Sequence, residues 1–118
     1  MRYETFGCED ADYVIVAYGS SARISRRVME MAREAGYKVG LLRLITLFPF
    51  PGAAIGELAG RVKGFLSVEM SMGQMVEDVR LWAGKDVAVE NYGRCGGAVH
   101  SPAEVYEGLK TRLIAKFE

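Results

Sequence analysis

The sequence contains few of the residues from which metal and redox centres are built. Its 118 residues include two cysteines, Cys8 and Cys95, and one histidine, His100. The cysteines form no CxxC pair, and an iron–sulfur cluster or structural zinc site usually needs about four ligands. We therefore predict that the chain alone builds neither an iron–sulfur cluster nor a structural zinc site. Two free thiols are favoured over a disulfide, which the sequence leaves open, and a nucleophilic pair of either cysteine with His100 is strongly disfavoured.

The chain also lacks an excess of charge of either sign. Fifteen basic residues balance fifteen acidic ones, so no long-range field would concentrate nucleic acid or anionic lipid. No segment demands a membrane, and residues 1–6 do not resemble a secretory signal, which predicts a cytoplasmic protein. Half of the residues are hydrophobic and a quarter are charged, as in soluble globular proteins. The length predicts a single domain over residues 1–118.

The spacing of apolar residues predicts an α/β fold. Four units of a strand followed by a helix suggest three α/β/α layers around a mostly parallel sheet. The predicted strands cover residues 13–18, 39–47, 64–69 and 86–90, with an edge strand at 2–6. The predicted helices cover residues 21–35, 52–59, 71–83 and 101–117. Residues 48–51, Phe-Pro-Phe-Pro, are predicted to form a corner because proline lacks a donor and restricts its predecessor.

Helix ends and buried helix faces are also predicted. Capping boxes begin the third helix, at Ser71 and Gln74, and the last helix, at Ser101 and Glu104. Glycines 36 and 84 are predicted to end the first and third helices. The predicted buried faces comprise Ile24, Val28, Met31, Ala32 and Ala35 in the first helix, Met72, Met75, Val76, Val79, Trp82 and Ala83 in the third, and Val105, Tyr106, Leu109, Leu113 and Phe117 in the last.

The run Gly19-Ser20-Ser21 follows the first long strand at the point where open parallel sheets bind ligands. A dinucleotide fingerprint is excluded, because the run has one glycine and because Thr46 and Leu47 stand where an acidic residue would be required. Two interpretations remain open: a site for a small anion, or a well-capped turn. The turn is favoured.

Two further segments are candidate ligand or partner contacts. Glu69 ends the third long strand beside Ser71 and Gln74, and it either contacts a ligand or partner or interacts with the helix dipole. These two alternatives are about equal, whereas acid–base catalysis is disfavoured because no paired carboxylate or histidine lies nearby in sequence. For the methionines at positions 70, 72 and 75, a core position is favoured over an interface.

Arg94, Gly96 and Gly97 form the other candidate. An arginine flanked by glycines could bind a phosphate or a carboxylate, or the segment could be a mobile connection.

Four segments together resemble one family. They are Tyr18-Gly19-Ser20 and residues 42–51 (LRLITLFPFP), 69–74 (EMSMGQ) and 94–97 (RCGG). The chain resembles the C-terminal domain of the alpha subunit of 2-oxoacid:ferredoxin oxidoreductases, a domain similar to the C-terminal domain of transketolase. The resemblance implies oxidative decarboxylation of a 2-oxoacid to acyl-CoA, with electrons passed to ferredoxin.

The resemblance also implies where the chemistry takes place. Thiamine diphosphate, magnesium and the iron–sulfur clusters would be held by other domains or by the beta and other subunits, and no catalytic residue would lie in this chain. Coenzyme A and ferredoxin would be partners of the complete enzyme. Gly19, Ser20, Glu69, Gln74 and Arg94 would match family positions that serve packing and subunit contact. Arginine at Gln74 or Met75 would then impair assembly with little effect on the fold.

Alternative hypotheses remain. A free-standing module could bind a small anion at the Gly19 and Arg94 loops, and a purely structural assembly domain would bind no small molecule. A receiver-like or flavodoxin-like protein is disfavoured, because no acidic pocket or hydroxyl-rich phosphate loop is evident. Alpha subunits of the family are several times longer, which leaves open a fragment or a split subunit.

Overall fold

The structure, a computed structural model, describes residues 3–45, 50–69, 74–93 and 101–118, apart from the side chains of Ser20 and Gln74. These residues form five strands, four α-helices and a short 3-10 turn. In chain order they are β1 (Tyr3–Phe6), β2 (Tyr13–Tyr18), α1 (Ser20–Glu34), β3 (Val39–Leu44), α2 (Gly52–Ala59), β4 (Gly64–Glu69), α3 (Gln74–Ala83), β5 (Ala88–Gly93), α4 (Pro102–Arg112) and the 3-10 turn (Ile114–Lys116).

The strands form one sheet in the order β1-β3-β2-β4-β5. Strands β3, β2, β4 and β5 are parallel to their neighbours, and β1 pairs with β3 in the antiparallel direction at one edge. The prediction of a mostly parallel sheet with an N-terminal edge strand is confirmed.

Helices cover both faces of the sheet, and each face has its own apolar core. On one face, Val28 of α1 and Leu109 of α4 pack in one cluster with the strand residues Ile15, Leu41 and Leu66. On the other face lie α2 and α3, with a core that includes Val14, Phe65, Ile55, Met75 and Val79. Because the central strands are buried on both faces, nearly all of their residues are apolar.

Three predicted elements have the observed boundaries, namely β2, α2 and β4. Strand β3 is shorter than its predicted range of 39–47. Its last residue, Leu44, pairs with Tyr3 of β1 and Tyr18 of β2, so both neighbouring ladders end there. Residues 46–49, which include the first two of the four residues of the predicted corner, lie outside the described residues.

The predicted range of β5, 86–90, was wrong at both ends. The strand runs from Ala88 to Gly93, and its ladder continues until Glu69 pairs with Gly93. The Tyr92 ring packs directly against Gly108 of α4. A β-carbon on Gly108 would lie only 2.4 Å from that ring, so a larger residue at position 108 would clash with it. Pairing with β4 and this packing outweigh the low strand propensity of Asn91 and Gly93.

The buried face of α1 differs from the predicted one. Ala35 is exposed, and Ile24 and Met31 are half-buried. Ser21 and Ser25 are instead fully buried, in line with Val28 and Ala32. Small serine side chains fit where the helix lies closest to the sheet, so the buried stripe is shifted relative to the apolar pattern.

Two aromatic residues predicted to be buried are half exposed. Trp82 is 49% exposed, because its ring lies against Gly52 at the start of α2 rather than under α3. Phe117 is 43% exposed, because α4 ends at Arg112 and the following 3-10 turn changes the helical phase.

The predicted caps agree with the structure at Ser101, Gly36 and Gly84, whereas α4 ends five residues before its predicted end at residue 117. Ser101 caps α4, with its Oγ accepting from the Glu104 N–H at 3.2 Å, and Glu104 accepts in return from the Ser101 N–H. Gly36 and Gly84 have positive φ angles of 97° and 86° after α1 and α3. Residues 71–73 of the other predicted capping box lie outside the described residues.

Candidate functional site at the carboxyl edge of the sheet

The strand order predicts that a ligand site lies at the carboxyl ends of the parallel strands. From β2 the chain continues through α1 to β3 on one side, and β4 lies on the other side of β2. Helices α1 and α2 cover opposite faces of the sheet. The chain connections therefore run in opposite directions on the two sides of the boundary between β2 and β4. This boundary is the topological switch point of the sheet, and open α/β sheets commonly bind ligands at the carboxyl ends of the strands beside it.

The chain leaves β2 through Gly19, which is the N-cap of α1. Gly19 has φ 67° and ψ −138°, a conformation that a residue with a β-carbon rarely adopts, and no side chain caps the helix. Ser21 lies in the first turn with no exposed surface, and its Oγ has no hydrogen-bond partner among the described residues. The start of α1 is thus a tight backbone turn whose first N–H groups receive no cap from the side chains that the structure describes.

Glu69 ends β4 on the other side of the switch point, and its side chain is only 6% exposed. Its carboxylate accepts a hydrogen bond from the backbone N–H of Met75, at 3.0 Å to Oε2 and 3.4 Å to Oε1. The negative charge of Glu69 thereby lies at the N-terminus of α3, where the helix dipole stabilises it. This contact agrees with the helix-dipole alternative for Glu69.

The side chain of Met75 faces the core. It is 5% exposed and packs in the cluster that contains Val14 and Val79. The favoured interpretation of Met75 as a core residue is confirmed. This burial replaces the expectation that arginine at position 75 would spare the fold with the opposite one, because a charge there would be buried without a partner.

Several predicted site residues lie outside the part of the chain that the structure describes. They are Arg94, Gly96 and Gly97, together with Ser71, Cys95, His100 and the side chains of Ser20 and Gln74. Their assignment as anion or subunit contacts stays a prediction.

A second feature near the switch point was not predicted from the sequence. A groove of 730 Å³ lies beside the start of α1 and includes three arginines. The described residues that line it are Phe6, Gly19, Ala22, Arg23, Arg26, Leu41 and Arg43. The available signal was the spacing of Arg23 and Arg26 on one helix and the single charge of Arg43 within an apolar strand.

The thiol of Cys8, a reactive side chain within the described ranges, is buried away from solvent. Cys8 has a free thiol that is 5% exposed and donates to the backbone oxygen of Leu41 at 3.5 Å. Burial raises the pKa of this thiol, which disfavours the nucleophilic thiolate.

Neither a metal site nor a membrane span is found in the described segments. No group of three or more histidine, cysteine, aspartate or glutamate residues there could hold a metal ion. Each helix of those segments is too short or too polar to traverse a lipid bilayer.

Relatives of the chain are subunits of oxidoreductases. It is 49% identical over 111 residues to ketoisovalerate oxidoreductase subunit VorB of Methanothermobacter thermautotrophicus, covering 93% of this chain and 31% of the relative. It is 35% identical over 97 residues to 2-oxoglutarate synthase subunit KorA of Methanothermobacter marburgensis, covering 82% of this chain and 26% of the relative. The chain thus spans about a third or less of the length of these relatives.

Solved structures share the fold. The 2-oxoglutarate:ferredoxin oxidoreductase from Magnetococcus marinus, solved with 2-oxoglutarate, coenzyme A and succinyl-CoA bound, matches 93% of this chain and 19% of its own. The TM-score is 0.80 and the identity 25%. A split gene transketolase, in an inactive beta4 tetramer, matches 96% of this chain and 41% of its own with a TM-score of 0.80 and 16% identity. The transketolase C-terminal-like α/β fold is confirmed.

A family model gives the assignment. Residues 11–105 match the pyruvate:ferredoxin oxidoreductase core domain II. This range includes β2, β4, the switch point between them and most of both helix layers. The chain therefore belongs to the family of pyruvate:ferredoxin oxidoreductase core domain II.

Proposed function

We propose that the chain is one domain of the alpha subunit of a 2-oxoacid:ferredoxin oxidoreductase, and that it supplies structure and subunit contacts. The match to core domain II over residues 11–105 carries this proposal. The names of the relatives support it, since they describe subunits of larger oxidoreductases. The chain spans 31% of the VorB relative, so the rest of such a subunit would supply the other domains.

The complete enzyme would oxidatively decarboxylate a 2-oxoacid in the cytoplasm, forming acyl-CoA and carbon dioxide and passing the electrons to ferredoxin. Thiamine diphosphate, magnesium and iron–sulfur clusters would be bound by other domains or subunits. The described residues bring together no cluster of metal-binding side chains that would fit the metal groups. Glu69, the most buried carboxylate near the switch point, accepts a hydrogen bond from the Met75 N–H at the N-terminus of α3.

The preferred substrate of that enzyme is proposed to be a branched 2-oxoacid, ketoisovalerate. Two relatives named as ketoisovalerate oxidoreductase subunits are 49% and 52% identical to this chain. Relatives named as 2-oxoglutarate synthase subunits are 35% and 36% identical.

The outer surface of α3 is the proposed subunit contact. Leu81 is 75% exposed and the neighbouring Trp82 is 49% exposed, on the helix that also receives the Glu69 carboxylate. Exposed large apolar side chains side by side are typical of interaction surfaces, where aromatic residues often supply much of the binding energy.

Activity assays of the chain alone and of the assembled enzyme test whether catalysis requires the other domains and subunits. The 118-residue chain, supplied with ketoisovalerate, coenzyme A, thiamine diphosphate, magnesium and an electron acceptor, is expected to form no acyl-CoA. The assembled enzyme is expected to form it, and to turn over ketoisovalerate faster than 2-oxoglutarate. Acyl-CoA formation by the chain alone would overturn the proposed non-catalytic role.

The contact surface has its own test. Leu81→Glu is expected to weaken co-purification with the other subunits while thermal unfolding of the chain stays unchanged. Tyr3→Glu is the matched control, because Tyr3 is 42% exposed but lies on β1 at the opposite edge of the sheet. Equal effects of the two variants on assembly would contradict the assignment to α3.

A further inference from the structure

The arginine groove beside α1 has no part in the proposed function. Arg23 and Arg26 are three residues apart on α1, so their side chains leave the helix on the same side. Arg43 lies two residues after Leu41 on β3, so both point to the face of the sheet that α1 covers. The fold therefore directs three guanidinium groups into one concavity.

Within the described residues, the positive charge of this groove is only partly compensated. Arg43 forms an ion pair with Glu4 across the β1–β3 ladder at 3.0 Å. The Arg26 guanidinium lies 4.2 Å from the centre of the Phe6 ring. Arg23 forms no ion pair with any described residue. The groove thus has a local positive charge although the whole chain has no net charge.

The rest of the lining suits a small ligand. Phe6, Ala22 and Leu41 are apolar, and the volume of 730 Å³ lies in the range of small-molecule sites. Gly19 also lines the groove, and a β-carbon there would meet nothing within 4 Å. The N-terminus of α1, which favours anions, is thus open on the same side as the arginines.

We propose that this groove binds a small molecule that carries phosphate groups. Guanidinium groups bind phosphate oxygens through paired, charge-assisted hydrogen bonds, and several arginines around one cavity suit a ligand with more than one negative charge. The apolar residues would contact the uncharged part of the ligand. The concave shape favours such a molecule over an acidic protein segment, which would need a more extended surface.

Calorimetric titration of the 118-residue chain with inorganic pyrophosphate tests this proposal. In roughly 0.15 M salt, pyrophosphate is expected to bind at one site, and succinate to bind more weakly. Arg23→Ala and Arg43→Ala should each weaken binding by about tenfold or more, the usual effect of losing a charged hydrogen bond. Arg23→Lys, which keeps the charge but loses the planar fork, should have an intermediate effect.

Arg27→Ala is the matched control. Arg27 is on the same helix, pairs with Glu30 at 3.4 Å and lies outside the groove, so its loss should change binding less than about twofold. Thermal unfolding of each variant shows whether it is folded.

Three results would overturn the proposal. They are the absence of pyrophosphate binding, equal weakening by Arg27→Ala and Arg23→Ala, and tighter binding of an oligoglutamate peptide than of pyrophosphate. The last result would identify a protein-docking surface instead. None of these measurements requires turnover of a 2-oxoacid, so failure here would leave the proposed oxidoreductase role intact.

Discussion

The two helices that begin beside the switch point differ in whether an anionic side chain of the chain accepts a hydrogen bond at their N-termini. Helix α3 follows β4, and the buried carboxylate of Glu69 accepts the N–H of Met75. Helix α1 follows β2 through Gly19, has no side-chain cap, and lies beside a groove with three arginines. One helix end therefore uses an anion of the chain itself, and the other faces a positively charged groove.

This difference shows that the fold determines where free helix N–H groups lie, and that the nearby side chains determine which anion can bind them. Any parallel strand–helix connection leaves N–H groups without intrahelical partners near the carboxyl edge. At α3 the partner is built into the strand, so that end contributes to stability. At α1 the N–H groups lie beside the groove for which we propose an external anion.

The largest effect is expected from a charge placed in the core behind the start of α3. Met75→Arg should lower the free energy of unfolding by more than about 3 kcal/mol, because the cation would be buried among apolar side chains. Urea unfolding measures the loss. Leu81→Arg, at a 75% exposed position of the same helix, is the control and should change stability little. A fully stable Met75→Arg chain would contradict the packing of α3.

Removal of the internal carboxylate should have the next largest effect. Glu69→Ala is expected to cost about 1 to 3 kcal/mol, because it removes the acceptor of the buried Met75 N–H. Glu69→Gln keeps an acceptor oxygen and loses the charge, so it should cost only about 0.3 to 1 kcal/mol. Thermal unfolding of both variants gives the comparison. Wild-type stability of Glu69→Ala would show that the carboxylate does not stabilise α3.

A β-carbon at the start of α1 should have a smaller effect, through the backbone alone. Gly19→Ala is expected to cost about 1 to 3 kcal/mol, toward the lower end because the surrounding space is open and only the positive φ is unfavourable. Gly56→Ala is the control: in α2 its β-carbon would meet only ordinary contacts, and stability should rise by up to about 1 kcal/mol. If both variants had the same stability, the conformation assigned to Gly19 would be wrong.

The smallest change in stability is expected at the groove. Arg23→Ala should alter the free energy of unfolding by less than about 0.5 kcal/mol, since Arg23 is exposed and forms no ion pair with the described residues. A loss above about 1 kcal/mol in chemical unfolding would mean that Arg23 serves the fold rather than a ligand.

Local sequence patterns were sufficient for much of the fold. Apolar runs predicted β2, which ends before Gly19, and β4. A weak pattern after the proline corner predicted α2, and the capping box at Ser101 predicted the start of α4. The end of β5 could not be predicted locally, because it depends on pairing with β4 and on the space that Gly108 leaves for Tyr92. The buried face of α1 was misplaced because Ser21 and Ser25 are polar by composition yet fully buried.

The candidate site was predicted only in part. Glu69 and the start of α3 are close in sequence, so their contact was one of two alternatives. The arginine groove joins α1 to β3 and to the edge strand β1, and these segments meet only after the sheet has formed.

The most direct test of the proposed role is purification of the tagged chain, or of the longer protein that contains it, from its source organism. We predict that mass spectrometry identifies oxidoreductase subunits in the purified assembly, and that the assembly reduces ferredoxin when given ketoisovalerate and coenzyme A. Purification without any such subunit, in a preparation that turns over no 2-oxoacid, would contradict the proposal.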